Sequence, residues 1–519
     1  MGNRRMLLWT SAMYLIFICA IGSFAVSAAN AASPNTITKK IVVALINEPD
    51  TLDLTATKSA MQSRPVAENV VEHLVSLSPD GKFIPGLATS WEISQDGKEY
   101  DFFLRKGVKF HSGDLFTAKD VQFSHERSLK YHIAYQRDMR NLDTLVVVDD
   151  YHVKLKLKVP DALIISTRFV PIGSKAYFDR VGEERFARDV VGTGPYQFVK
   201  WELGQYIDLK ANDNYWGNKP AVKLARFVFI KEDSTRVSML KAGEADMIVE
   251  CPFSQVKQLE SAGYRTSRRA GPPSTSIQFH TYNPKVPWLD KTVRLAIAMA
   301  IDSESMVNNL FQGIPTRPVR LSSWELGYDK DLKHYPYNPA MAKKLLAEAG
   351  YPNGFDMPLY YSIGRASGQK ETTELVAHSL SAIGIRPKVE GLEIARMMEM
   401  AREWHKSADT VYAGISTLPT AECPDPVMGL ETAFLSSSSV SLYKNPALDG
   451  LVEKARQTAN EKKRADLIKQ AFKIIHDDVP TAQLWSNVSV FAMQKKIVFT
   501  PTKRSNASLV LLKDILPAN

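Results

Sequence analysis

Residues 86–130 read GLATSWEISQDGKEYDFFLRKGVKFHSGDLFTAKDVQFSHERSLK, and three local devices are legible in them. Tyr100, Phe102 and Leu104 recur at every second position after a turn signal at Asp96-Gly97, the periodicity of a half-buried strand. Gly113 supplies a further turn. Thr117 then caps a helix with Asp120 three residues on, a pairing that satisfies free N–H groups at a helix start. A strand and a capped helix in so short a stretch point to a mixed α/β chain.

The same physics extends outward. From Tyr151 to Val159, Val153, Leu155, Leu157 and Val159 alternate with Lys154, Lys156 and Lys158, which predicts an antiparallel strand with one wet face. Upstream, Ile41 to Leu45 is a short apolar strand, broken by Pro49 and the Asp50 to Asp53 loop. Downstream, Asn338-Pro339 caps and opens a helix with Met341, Leu345, Leu346 and Ala349 at helical spacing, and Gly350 stops it. Leu448, Leu451, Val452 and Ala455 form another stripe, and Leu467, Ala471, Ile474 and Ile475 a third, both read as helices packing on a sheet. The chain is strand-rich from about Ile41 to Ile230, helix-rich from about Thr292 to Asp478, and strand-like again from Ala482. A chain whose end returns to the composition of its beginning predicts that both termini share one lobe and the middle forms a second. Two lobes joined by crossover segments create a cleft, where small ligands usually bind.

Arg4 and Arg5 precede an apolar run from Met6 to Ile21, and Ala29-Asn30-Ala31 fits a cleavage site, so residues 1–31 are read as a secretory signal peptide. Cys19 lies inside the apolar run and leaves with it, after residues too large for a lipoprotein peptidase. The roughly 490 residues that follow are too many for one core and predict two to four domains. A composition of 45% hydrophobic and 23% charged residues is that of an ordinary globular protein. The formal charge of +9 comes from scattered residues rather than an aromatic-interleaved basic stripe, which argues against nucleic acid as a partner. Cys251 and Cys423 are read as free and buried.

Enzyme signatures are sparse. There is no G-x-S-x-G elbow, no phosphate-binding G-x-x-x-x-G-K-[ST] loop and no G-x-G-x-x-G turn. None of the ten histidines pair as H-x-x-x-H, so no metal site is expected. S-x-x-K occurs at Ser238/Lys241, Ser254/Lys257, Ser367/Lys370 and Ser441/Lys444, a multiplicity that marks chance in a chain without K-T-G. The chain is therefore read as no enzyme and as needing no cofactor.

The stretch 86–130 resembles the signature of the family 5 bacterial extracellular solute-binding proteins, the group that includes dipeptide and oligopeptide binders. Residues 191–216 (VGTGPYQFVKWELGQYIDLKANDNYW), 236–246 (RVSMLKAGEAD), 293–302 (VRLAIAMAID) and 337–354 (YNPAMAKKLLAEAGYPNG) resemble the family's other blocks, in the family's order. The resemblance implies a two-lobed α/β periplasmic binding protein fold of type II with an extra domain inserted in lobe I. It places lobe I at residues 33–74 with 190–285 and 487–519, the extra domain at 75–189 and lobe II at 286–486.

For ligand contacts the resemblance implies a lobe II carboxylate that holds an ammonium group. Glu422, in Glu422-Cys423-Pro424-Asp425-Pro426, stands where Asp is usual, with a longer approach from Gly414, and Asp425 is a candidate beside it. A buried carboxylate needs a cation or several donors, so an amine is a sensible partner. The longer side chain and the insertion leave a peptide, an opine or a modified amino acid open. Arg365, after Tyr360 to Gly364, is the nearest counterpart of the arginine with which dipeptide binders grip a carboxylate, a task its planar fork suits. Ser276 and Gln278 match pocket-lining positions on the hinge strand, although packing would explain them equally well. Ile394 stands where tryptophan is frequent, which weakens an oligopeptide reading.

The resemblance thus implies the periplasmic binding component of an ABC importer, a monomer that docks on permease subunits in the inner membrane. A ligand sensor or a hydrolase on the same scaffold is the alternative.

Overall fold

The computed structural model describes residues 37–518 apart from 38, 58–59, 81, 167–169, 316–320, 322–324, 364–368, 394–395, 397–398, 401–402, 404–412, 418–424, 439 and 503–508. Residues 1–31, read above as a signal peptide, lie outside the described residues, as do Arg365, Ile394, Glu422 and Cys423. Among the described residues no helix is long and apolar enough to cross a membrane.

One sheet of ten strands organises the chain, in the spatial order Arg386–Glu393, Asp356–Ile363, Ala413–Thr417, Arg265–Phe279, Thr481–Met493, Met247–Ile248, Ile41–Leu45, Leu224–Phe229, Tyr206–Ala211 and Tyr196–Glu202. Its two ends bury different cores. At one end Ile41, Val43, Tyr196, Ile207 and Phe227 pack with Phe491, Val510 and Ile515, so the first strand and the C-terminal segment share a core, as the composition predicts. At the other end Ile277, Met357, Leu359, Val376 and Leu484 pack with Val293 and Ile297 of the helix Lys291–Met299. Here Asp356–Ile363 runs parallel to Arg386–Glu393, and the helix Gln369–Ser381 makes the crossover that parallel strands require. Two cores on one sheet give the molecule its two lobes.

A separate antiparallel sheet, Ala88–Ile93, Glu99–Leu104, His152–Leu157 and Leu142–Asp149, carries a third core with the helix Ala118–Tyr131. Tyr100, Phe102 and Leu104 are buried alternately with more exposed neighbours, and so are Val153, Leu155 and Leu157. Gly97 and Gly113 adopt positive φ, of 71° and 92°, in the turns read from the sequence. The Thr117 N–H donates to Asp120 Oδ2 at 2.9 Å, which closes the cap. This sheet is tied to the first lobe through the helix: Arg127 donates from Nε and Nη2 to Asp53 Oδ2 at 2.9 and 2.7 Å.

The helix Pro339–Glu348 starts where the sequence predicts, with Asn338 Oδ1 accepting from Met341 N–H at 2.9 Å. Its buried face is Ala342 and Leu346, while Met341 is 39% exposed: the first turn projects past the core edge and its apolar side chain stays wet. Pro446–Gln457 and Glu461–Asp478 also form as predicted, but they do not pack on a sheet. They bury Leu448, Val452, Ile468, Ala471 and Ile475 against each other and against the helix Val427–Phe434, in an all-helical cluster that also takes in Leu163. A helical stripe specifies that a face is buried, not what buries it.

Candidate functional site

Arg265–Phe279 and Thr481–Met493 are the longest strands, and they run antiparallel through the middle of the sheet, where the two lobes meet. Their register is regular from Arg265↔Met493 to Ala270↔Val488, breaks before Ser274↔Ser486, and shifts again between Thr275 and Ser276. Gly271-Pro272-Pro273 accounts for the break. Proline has no N–H to give a ladder and fixes φ, so an interior pair of prolines forces an irregularity. The strands therefore cross between lobes as two regular ladders joined by a short irregular link.

Beyond the link the two faces differ in chemistry. Ile277, Phe279, Ala482 and Leu484 face the apolar core, whereas Ser276, Gln278, Thr481 and Gln483 form the opposite face through the pairs Ser276↔Gln483 and Gln278↔Thr481. Ser276 is fully buried, Thr481 is 3% exposed, and neither hydroxyl has a hydrogen-bond partner in the protein. Buried hydroxyls are normally satisfied, so these two mark a place where a water or a ligand atom is expected. Ser276 and Gln278 are the pair that the family resemblance named as pocket-lining candidates. Thr481 was not named, because the face it shares with them depends on a register that only the fold defines.

Asp356–Ile363 and Ala413–Thr417 run parallel beside this polar face, with Tyr360↔Gly414 in register. The chain leaves both at their carboxyl ends, where open α/β sheets bind ligands. Residues 364–368, with Arg365, and 418–424, with Glu422, follow directly and lie outside the described residues. Asp425 is described and is buried. Its Oδ1 accepts from Val427 N–H at 3.1 Å at the start of the helix Val427–Phe434, and its Oδ2 lies 2.9 Å from Arg464 Nε. Oδ1 of Asp425 is thus used in capping, while Oδ2 has the Arg464 charge beside it but no hydrogen-bond partner in the protein.

Across the link, the first-lobe side holds a carboxylate that the sequence reading did not single out. After Met247–Ile248 the chain turns at Glu250, which has φ 48°, and the Cys251 N–H donates to Val490 O at 2.8 Å. Burial pushes the Glu250 carboxyl up to about 7, against the opposing pull of a Ser489 hydrogen bond and of the Arg269 and Arg236 guanidinium groups. Arg269 stands opposite Ser489 in the strand register, and burial lowers its pKa to about 10, so it remains a cation at neutral pH. The available signal was an acid set between Met247-Ile248-Val249 and Cys251-Pro252. Cys251 itself is a buried free thiol, pushed up to about 12 by desolvation. Among the described residues no three His, Cys, Asp or Glu side chains gather as metal ligands.

Heme-binding protein A of Haemophilus influenzae is 31% identical over 430 residues, 76% of this chain and 77% of that protein. Di/tripeptide-binding protein 1 of Pseudomonas aeruginosa is 29% identical over 510 residues, 90% of this chain and 92% of that protein. The ABC transporter-associated periplasmic binding protein DppA of Helicobacter pylori, solved in complex with the peptide STSA, superposes with a TM-score of 0.80 at 27% identity, covering 93% of this chain and 99% of that one. These neighbours share the two-lobed α/β architecture of type II periplasmic binding proteins. Residues 82–439 match the model described as "Bacterial extracellular solute-binding proteins, family 5 Middle". The chain belongs to family 5 of the bacterial extracellular solute-binding proteins.

Proposed function

We propose that this chain is the periplasmic substrate-binding component of an ABC importer and that its ligand is a small polar molecule of the peptide, opine or modified amino acid class. The observation that carries this is the link at 270–274: two continuous strands join lobes with separate cores and leave unsatisfied Ser276 and Thr481 hydroxyls beside it. Such a joint lets the lobes close over a ligand by changing a few backbone torsions while both cores stay intact. The moving parts are residues 33–74 with 190–285 and 487–519 on one side, carrying the 75–189 domain, and 286–486 on the other.

In this reading Glu422 receives an ammonium group, Arg365 a carboxylate, and Ser276 and Gln278 line the sheet floor. Binding is non-covalent and the ligand leaves chemically unchanged. Residues 1–31 direct export and are removed, and the mature chain docks as a monomer on the permease subunits. The relatives' named ligands, haem, di- and tripeptides and the peptide STSA, bracket the range, and the polar floor favours the peptide-like end. Calorimetric titration with di- and tripeptides, opines and free amino acids tests it. Saturable binding at one site with the ligand recovered intact is expected; turnover of the ligand would transfer the reading to a hydrolase.

A further inference from the structure

We propose that Glu250 and Arg269 form a second recognition point of the cleft, on the first-lobe side, which receives the backbone of one extended ligand residue: its N–H on Glu250 Oε1 and its C=O on Arg269 Nε. This rests on the receptor reading and names the chemistry of one subsite.

Both atoms are buried, and neither has a hydrogen-bond partner. Arg236 Nε, on a guanidinium that reaches the Glu250 carbonyl, is also buried without a protein partner, while the other nitrogens of Arg236 are committed. Arg236 spends Nη1 on Ile230 O and Lys231 O, each at 2.8 Å, and Nη2 on Asp233 Oδ1 at 2.6 Å and Glu250 O at 3.3 Å. Ser489 satisfies the Glu250 carboxyl in part. An unfilled acceptor on Glu250, close enough to Arg269 and Arg236 to feel both charges, therefore faces unfilled guanidinium donors near the strand link, held by a backbone that keeps a non-glycine residue at φ 48°. Strain of this kind persists where the surrounding structure over-determines it, at ligand clamps among other places.

Charge selects the ligand group. An ammonium would meet Glu250 but also Arg269 and Arg236; a carboxylate would meet the two guanidinium groups but also Glu250 and Asp233. A neutral donor and a neutral acceptor offered to the same side offend neither charge, and the backbone N–H and C=O of one extended residue are such a pair. Across the link from Ser276, Gln278 and Thr481, this point would grip the backbone of the ligand.

The test is calorimetric titration of the full mature chain with dialanine, trialanine and tetraalanine at pH 6, 7 and 8. The groups facing the Glu250 carboxyl are Arg269, Arg236, Asp233, Cys251 and Ser489, and its own titration lies near neutrality. An amide N–H prefers the ionised acceptor, so wild-type affinity for the best peptide is expected to rise about tenfold from pH 6 to pH 8. Glu250→Gln is expected to lose that slope and to bind more weakly at pH 8. Ser489→Ala, which removes a group that favours ionisation, is expected to move the midpoint of the slope to higher pH. If wild type binds peptide but Glu250→Gln keeps both affinity and slope, or Ser489→Ala leaves the midpoint in place, the subsite is overturned while the receptor reading stands. If wild type binds none of the peptides, this subsite and the peptide reading fall together.

Discussion

Arg456 donates from Nε to Asp161 Oδ2 at 2.8 Å, joining the helix Pro446–Gln457 to the chain just before Leu163 across 295 positions of sequence. The same guanidinium reaches Glu431 Oε2 at 2.8 Å and Asp138 O at 2.5 Å, and Arg140 donates to Glu431 Oε1 at 2.7 Å. Arg456 and Asp161 are both essentially inaccessible to water. Burial raises the Asp161 carboxyl, and Arg456 is the strongest influence against that rise. Arg456→Met leaves the buried Asp161 carboxylate without its cation and Glu431 with Arg140 alone, and is expected to cost about 3–5 kcal/mol in denaturant unfolding. A loss below 1 kcal/mol would show that solvent reaches this cluster.

Two histidines make acid stability readable. Burial holds His111 down to about 4, with Nε2 2.9 Å from Gly194 O, and it holds His125 down to about 4, with Nδ1 2.8 Å from the Tyr135 hydroxyl. Between pH 6.5 and 4 the unfolded chain binds protons at these sites that the folded chain does not. Their contribution is therefore complete above pH 6.5 and is lost as pH falls, by up to ~1.4 kcal/mol per pH unit for each histidine. His111→Gln is expected to flatten the stability profile over that range, and a profile parallel to wild type contradicts the assignment.

Thr481→Val replaces an unpartnered buried hydroxyl with a methyl group on a strand that favours β-branched residues. Removing a buried hydroxyl that has no protein partner is expected to change the stability of the ligand-free protein by less than about 1 kcal/mol. Ligand affinity is expected to fall for Thr481→Val and for Ser276→Ala. Thermal unfolding with and without ligand separates the two effects: equal ligand-induced shifts in variant and wild type would remove both hydroxyls from the site.

Glu422→Gln is expected to cost an amine ligand about 2–5 kcal/mol of binding, the loss seen when one partner of a buried charge pair is removed. Arg365→Ala is expected to weaken a ligand with a free carboxylate more than its amide analogue. Titration of both variants with a peptide and its C-terminal amide checks the pair, and unchanged affinity in either variant removes that residue from its role.

Local chemistry was legible in the sequence and partnership was not. The Asn338-Pro339 start, the Thr117–Asp120 cap and the alternation through Tyr100, Phe102 and Leu104 each depend on residues within a few positions, and each appears as expected. The stripes at Leu448 to Ala455 and Leu467 to Ile475 marked buried faces, but not that those faces meet each other and Leu163 instead of a sheet. Thr481 and Ser276 share a face only because Ser276 pairs with Gln483 after a register shift, which no periodicity within either strand encodes. Glu250 escaped notice for a similar reason. One acid among apolar residues reads as a loop charge until Ser489 and Arg269 are seen beside it.

Reversible capture of an intact small ligand between the lobes is read out by native mass spectrometry of the mature chain incubated with a panel of peptides, opines and modified amino acids. One adduct per chain is expected for at least one member of the panel, lost on denaturation and recovered at its original mass. A panel that leaves no adduct at all, or a ligand released as cleaved product, would rule out such capture.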